Sequence, residues 1–215
     1  MEACYPHEIL PMARRTKAEA AATREALLDA AEEVFLEKGV ARTSLEQIAR
    51  HAGVTRGAVY WHFRNKADLF QAMLGRVRMP FQELVAEIGD PSLVERPLEA
   101  IRLAILKGFE RLEQPQYRRV HVILIHHCEV FGDIDPLAMQ NEMADEACGA
   151  LADYFACAAR LGHLRDDLSP VIAAELMQAM LGGLFHDWLR NHERFSLVAK
   201  GRELVDTQLA LMRRA

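Results

Sequence analysis

Apolar residues recur along this chain at helical spacing, and the alternating runs that mark strands are nearly absent. Leu27, Leu28, Ala31, Val34 and Phe35 make one apolar face, with Glu32, Glu33 and Glu37 read as lying off it, and Gly39 stops that helix as a C-terminal glycine does. A second, short helix is expected from Thr43, where Thr43-x-x-Glu46 has the form of a capping box; Leu45, Ile48 and Ala49 are its buried side and Gly53 ends it. A third covers 55–63. Asn65 caps a fourth, which begins at Lys66 and carries Leu69, Phe70, Met73, Leu74 and Val77. Pro80, Pro91 and Pro97 punctuate the next stretch of chain. Asp135-Pro136 and Ser169-Pro170 each place an N-cap residue before a first-turn proline, and a last helix covers 197–213. The pattern predicts an all-α chain of two domains, a small head over 12–66 and a larger helical body over 67–215, joined through the fourth helix.

Residues 44–62 form two short helices about the turn Ala52-Gly53-Val54, which is helix-turn-helix geometry: a support helix, then one free to enter a major groove. On a wheel of the second helix Val59 and Phe63 fall together, with His62 beside them, while Gly57, Tyr60, Trp61 and Arg64 point away. An exposed Trp–Tyr pair puts apolar area in water, which a groove or a partner would justify. Thr55 and Arg56 stand at the N-terminal end, the end that reaches base edges in this motif. Arg56 can bond a guanine O6/N7 pair in bidentate fashion, worth about 1–3 kcal/mol of discrimination. Gly57 lets DNA approach the backbone, and Tyr60, Trp61 and His62 suit phosphate and sugar contacts. Thr43 and Ser44 offer hydroxyls and free N–H groups at a helix start. Lys66, a cation in a first helical turn, works against the macrodipole at a cost of about 0.3–1 kcal/mol, and a phosphate bound there would reverse that sign.

Composition changes this picture only when it is divided. Of 215 residues 51% are hydrophobic and 27% charged, enough for a real core and too apolar for wholesale disorder. The formal net charge of −5 argues against nucleic acid as a whole-chain average. Residues 12–66, however, hold ten Lys/Arg against seven Asp/Glu, net +3, with −2 on the first eleven residues and −6 on 67–215. The head is the only basic part. No run of 18 apolar residues occurs, so no membrane span is expected. The first eleven residues lack the apolar stretch of a signal peptide, and Met12, ahead of Ala13-Arg14-Arg15-Thr16-Lys17, is a credible start that would leave 1–11 untranslated or disordered. Cys4, Cys128, Cys148 and Cys157 show no pairing pattern and are expected as free thiols in a reducing cytoplasm.

The run Thr43-Ser44-Leu45-Glu46-Gln47-Ile48-Ala49, then Ala52-Gly53-Val54-Thr55-Arg56-Gly57-Ala58-Val59-Tyr60-Trp61-His62-Phe63, then Asn65-Lys66, resembles the N-terminal domain of TetR-type transcriptional repressors. It is most similar to the AcrR-like branch that controls multidrug efflux pumps, as is Arg14-Arg15-Thr16-Lys17 ahead of Thr23-Arg24. The resemblance fades in the body. It implies a helical homodimer with one helix-turn-helix DNA-binding domain per subunit and a larger ligand-binding and dimerisation domain. Arg56, Gly57, Tyr60, Trp61, His62 and Lys66 fall on positions that family uses for DNA.

In the body, His121, His126, His127, Cys128 and Glu129 invite a metal reading that spacing defeats. His121 and Cys128 share a face but stand about 10.5 Å apart along a helix, and Ile125 takes the bridging position. No metal or cofactor is expected. With no P-loop, Gly-x-Ser-x-Gly or His-Glu-x-x-His, neither is catalysis. An apolar interior with a few polar handles suits a small-molecule pocket. Met73, Met177 and Met180 supply adaptable thioethers, and Phe109, Leu184 and Phe185 complete a wall. His121, Ile125 and Cys128 lie on a stripe that resembles the pocket helix of efflux regulators. Helices near 136–161 and 170–190 fit the family's dimer interface, through Ala147, Ala150, Leu151 and Tyr154 on one and Ala179, Gly183 and Trp188 on the other. The glycines of Leu181-Gly182-Gly183-Leu184 would permit close helix approach, and Trp188 packs either across the two-fold axis or within the subunit. The expectation is a repressor that binds double-stranded palindromic operator DNA of an efflux operon and is released by a hydrophobic or aromatic small molecule. Control of a metabolic or lipid operon stays open, as do a helical enzyme and a dimeric adaptor whose Tyr60/Trp61 face binds protein.

Overall fold

The computed structural model describes residues 17–214; residues 1–11, the start expected at Met12 and the Arg14-Arg15-Thr16 run lie outside the described residues. Among the described residues ten α-helices and one 3-10 turn carry the chain, with no strand. The first four are α1 (Lys17–Lys38), α2 (Leu45–His51), α3 (Arg56–His62) and α4 (Lys66–Gly75). After α5 (Phe81–Ile88) and the 3-10 turn Pro91–Val94 come α6 (Pro97–Leu112), α7 (Pro115–His126), α8 (Pro136–Arg160), α9 (Pro170–Arg190) and α10 (Leu197–Met212).

Local chemistry accounts for most helix starts. Thr55, Asn65, Asp135, Ser169 and Ser196 each accept a hydrogen bond from a first-turn backbone N–H. The start of α2 differs from expectation by one residue: the box is Ser44 with Gln47, whose side chains and backbone N–H groups bond reciprocally at 3.3 and 2.8 Å. Thr43 is displaced from that role because its hydroxyl donates to the Gly39 carbonyl at 2.8 Å, closing the turn after α1. Gly39 has φ +80°, a left-handed conformation that only glycine adopts without strain.

Two hydrophobic cores form, and they divide the chain elsewhere than at 66. The first holds Leu27, Phe35, Ile48, Val59 and Phe63, but also Leu69, Phe70 and Met73 of α4 and Val120, Ile123 and Leu124 of α7. The whole of α4 and one face of α7 therefore belong with the head. The second core joins α5, α6, α8, α9 and α10 around Ile101, Phe155 and Trp188. Trp188 is 2% exposed, so it packs within the subunit.

Glu32 corrects the reading of α1. It is fully buried and not, as expected, off the apolar face: on a wheel it borders Leu28. Its carboxylate accepts from Arg76 Nη1 at 3.0 Å, Gln116 Nε2 at 3.2 Å, and Arg119 Nε and Nη2 at 3.2 and 3.1 Å. Arg76, just past the end of α4, also reaches Asp29 at 2.6 Å and Glu25 at 3.4 Å. One carboxylate on α1 thus ties the end of α4 to α7.

The small-residue stripe expected on α8 is turned inward. Ala150 and Leu151 are buried, and Tyr154 meets Phe81 edge-on at 5.2 Å. The face α8 turns outward carries Asp145, Gly149 and Ala159 instead. On α9 the outward stripe is Ile172, Leu176, Ala179 and Gly183, all exposed. A Cβ added at Gly183 would meet nothing in the chain, so no contact within the subunit requires glycine there.

Candidate nucleic-acid interface and ligand cavity

α3 lies on the head with Val59 turned into the core and Tyr60 and Trp61 turned out, 45% and 72% exposed. It is set there by the Thr55 cap, whose Oγ1 accepts from Ala58 N at 3.2 Å, and by Val59 and Phe63 anchored below. Arg56 is exposed at the first helical position, and the Trp61 and His62 rings meet edge-on at 4.5 Å. A Cβ at Gly57 would meet only the Thr55 hydroxyl, at 3.9 Å, so the subunit itself does not demand glycine. Thr55, Arg56, Gly57, Tyr60 and Trp61 therefore share one exposed surface, with Ser44 exposed at the start of α2.

Two expected phosphate contacts do not stand on that surface. Thr43 is 4% exposed and its hydroxyl is committed to Gly39. The Lys66 ammonium donates to the carbonyls of Val40, Ala41 and Thr43 at 2.7, 3.1 and 3.0 Å, and sits 5.0 Å from the Phe131 ring centre. An ammonium has three N–H groups, and all three are used. Burial pushes its pKa down from the ordinary value. The side chain reaches away from the positive end of α4 to carbonyls 23–26 residues earlier, a distance in sequence that no local pattern reveals.

The surface also holds a residue to which spacing alone assigns only a capping role. Glu46, in the first turn of α2, accepts from the Tyr60 hydroxyl at 2.8 Å and lies 3.4 Å from Arg56 Nε. The Tyr60 bond holds the Glu46 carboxyl below its ordinary pKa and the Tyr60 phenol above its own. The arginine closes the group, its Cζ 5.6 Å from the Tyr60 ring centre.

In the body a cavity of about 270 Å³ opens between α5, α6, α8 and α9. Phe81, Leu84, Ile105, Phe109, Leu181 and Phe185 supply its apolar wall. Its two charged residues, Arg78 and Glu146, pair with each other at 2.8 Å. Of the residues expected in the pocket, Phe109 and Phe185 line this cavity and the others stand elsewhere. Met73 is in the first core, because α4 turns that face toward α1. Cys128 packs against the same core, and burial pushes its thiol up to about 11. His121 stands one layer behind the wall: its ring meets Phe185 edge-on at 5.5 Å and its Nδ1–H donates to the Tyr117 carbonyl at 2.7 Å. Burial lowers its pKa and favours the neutral ring. Ile125 packs against the second core and Met177 is fully buried in it. Met180 and Leu184 border a separate hollow of about 400 Å³, with Arg194 and Phe195. Met73, His121, Met177 and Leu184 are buried and Ile125, Cys128 and Met180 half-buried; helical spacing carries no information on which side of each helix the empty space lies. Among the described residues no group of three His, Cys, Asp or Glu side chains could hold a metal.

An exposed aromatic and cationic helix on a helical head, with an apolar cavity in the second core of the chain, defines a helix-turn-helix regulator with a ligand-binding domain. Residues 27–73 match the model of the bacterial regulatory proteins of the tetR family, and residues 96–214 match the C-terminal region of MAATS-type transcriptional repressors. The chain is 37% identical to the transcriptional repressor BepR of Brucella suis biovar 1 (strain 1330), over 93% of this chain and 96% of that protein. It superimposes on the crystal structure of NalD, the secondary repressor of the MexAB-OprM multidrug efflux pump of Pseudomonas aeruginosa, with a TM-score of 0.76 at 38% identity, covering 92% of this chain and 99% of that one. A complex of SmeT with triclosan gives a TM-score of 0.77 at 34% identity, over 90% and 92% of the two chains. The chain belongs to the TetR family of bacterial transcriptional regulators and is not an enzyme. No helix among the described residues is long and apolar enough to cross a membrane.

Proposed function

We propose that this chain represses a multidrug efflux operon as a homodimer on a palindromic operator and is released by a hydrophobic or aromatic small molecule. The observation that carries the reading is the surface of α3, where Arg56, Gly57, Tyr60 and Trp61 stand exposed without a structural need for glycine or for apolar area in water. NalD, a relative of similar length, is an efflux-pump repressor, and SmeT takes triclosan; both support the choice of operon and ligand class. The dimer is built from the outward stripes of α8 and α9, where Ile172, Leu176, Ala179 and Gly183 offer an apolar, close-approach surface. Two heads about 34 Å apart then meet successive major grooves. Ligand in the cavity favours a spacing that does not fit DNA, and the operator is released by population shift.

The test is binding to a duplex selected by the protein from a random pool. Affinity is expected to fall steeply with salt, and Arg56→Ala is expected to flatten preference at one base pair by about 1–3 kcal/mol. An affinity that ignores salt, or a preference that survives Arg56→Ala at every position, would sink the reading. For the cavity the informative variant is Gly201→Ala. The added Cβ overlaps the Phe109 ring, so that ring or α10 must shift, and the ring lines the cavity. Overpacking of this kind costs about 1–3 kcal/mol. The melting temperature should drop, and triclosan, used as probe in calorimetry, should bind more weakly than to the unaltered chain.

A further inference from the structure

We propose that Glu46 is a specificity-determining residue of the DNA-reading face: it positions Arg56 for a base edge and keeps that arginine from serving as a general phosphate contact. The inference rests on the reading of α3 given above and adds to it a residue on the support helix.

Three side chains from two helices close on one another here. The Glu46 Oε1 atom accepts from the Tyr60 hydroxyl at 2.8 Å and pairs with Arg56 Nε at 3.4 Å, while the guanidinium lies over the Tyr60 ring. None of the three is needed to hold α2 on α3, since that contact is made beneath them by Leu45, Ile48 and Val59, which are 4% exposed or less. The group is built on the surface, where isolated ion pairs contribute little to stability. Its effect is to choose where the guanidinium points.

The chemistry of the pair then discriminates between two kinds of DNA contact. An arginine held through Nε keeps both terminal nitrogens free, and those two can bond guanine O6 and N7 end-on without breaking the ion pair. A phosphate approaching the same guanidinium from the side of Nε meets the carboxylate first, like charge against like charge. End-on contact with a base is therefore compatible with Glu46, and side-on contact with the backbone through Nε competes with it. Tyr60 fixes the carboxylate by donating its hydroxyl proton to it, so that hydroxyl is committed in the free protein and is not an independent phosphate donor.

The experiment measures dissociation constants at one salt concentration for two duplexes of equal length, one selected by the protein from a random pool and one of shuffled sequence. Glu46→Gln is expected to tighten the shuffled duplex and leave the selected one within about threefold, lowering their ratio by about tenfold, within the range a single arginine–guanine contact commands. Tyr60→Phe should move the ratio the same way by less. In an Arg56→Ala background Glu46→Gln should no longer change the ratio, because the group it positions is gone. A ratio unchanged by Glu46→Gln overturns the proposal. So does a ratio that falls equally with and without Arg56, which would make Glu46 a bulk negative charge and nothing more. Failure of the underlying reading looks different: Arg56→Ala alone would then leave the ratio at its full value.

Discussion

Replacing Glu32 with alanine is expected to cost about 3–5 kcal/mol, the penalty for removing one partner of a buried ion pair. The carboxylate is fully buried and receives Arg76, Gln116 and Arg119 together, so its loss leaves two guanidinium groups facing each other without an anion between them. Arg76 keeps Asp29 and Glu25 as partial substitutes, whereas Arg119 has no second acid within ion-pair distance among the described residues. Denaturant unfolding should show the loss, and Glu33→Ala, one residue along and exposed beside His51, should stay within about 0.5 kcal/mol. Equal small effects of the two would show that the buried cluster does not hold the head to α7. The cluster also bears on regulation, because α7 carries His121 behind the cavity wall and Glu32 belongs to the helix that frames the head. In Glu32→Gln, where the amide keeps the shape and loses the charge, ligand should bind without releasing DNA as fully as in the unaltered protein. That outcome separates a coupling role from plain stability.

How much of this is legible in the sequence depends on how far each partner lies along the chain. Helix ends are readable because Asn65, Asp135 and Ser169 cap backbone groups two or three residues away. The outward face of α3 is readable because Val59 and Phe63 fix its inner side by periodicity alone. Glu32 is within reach of the same reasoning. It stands four residues after Leu28 and three before Phe35, on the buried face, and a carboxylate there signals a distant cation. The cation cannot be named from sequence, since Arg76 and Arg119 are 44 and 87 residues away. The cavity is not legible for a related reason. Met73, His121 and Met177 are all inside, but periodicity tells inside from outside and not one interior surface from another. The stripe expected on α8 fails likewise: a long helix between a core and a free face shows small residues on both, and Ala150 falls on the core side while Gly149 falls on the free one.

Charge division along the chain survives these corrections and gains a mechanism. The basic excess of the head is not all on the DNA-reading surface, because Lys66 spends its charge inside the protein on carbonyls. Fewer cations than the count suggests are left for phosphate, and the acidic body adds repulsion everywhere else. Affinity for random DNA should accordingly be low, which makes the few exposed cations, Arg56 foremost, decisive for where the protein binds.

Lys66→Met separates the two roles that a lysine at the start of α4 can have. As a phosphate ligand, its loss would reduce the slope of log affinity against log salt by about one and leave the fold alone. The geometry supports the other outcome. Three carbonyls of the turn between α1 and α2 lose the ammonium at once, two of those bonds being part-buried, and the Val40 carbonyl keeps a backbone donor, the Thr43 N–H at 3.3 Å. A buried acceptor left open costs about 1–3 kcal/mol, and with Val40 still bonded to the Thr43 N–H the head should lose about that much. Methionine retains the contact with Phe131 and most of the volume, which confines the change to the ammonium. The expected result is a lower melting temperature, weaker DNA binding when the head is partly unfolded, and, at a temperature where it is fully folded, an affinity and salt slope close to those of the unaltered protein. A reduced slope with an unchanged melting temperature would return Lys66 to the phosphate backbone. The turn it holds leads directly into Ser44, so when the turn loosens, the start of α2 loosens with it, and with it the platform on which Glu46 and Arg56 meet.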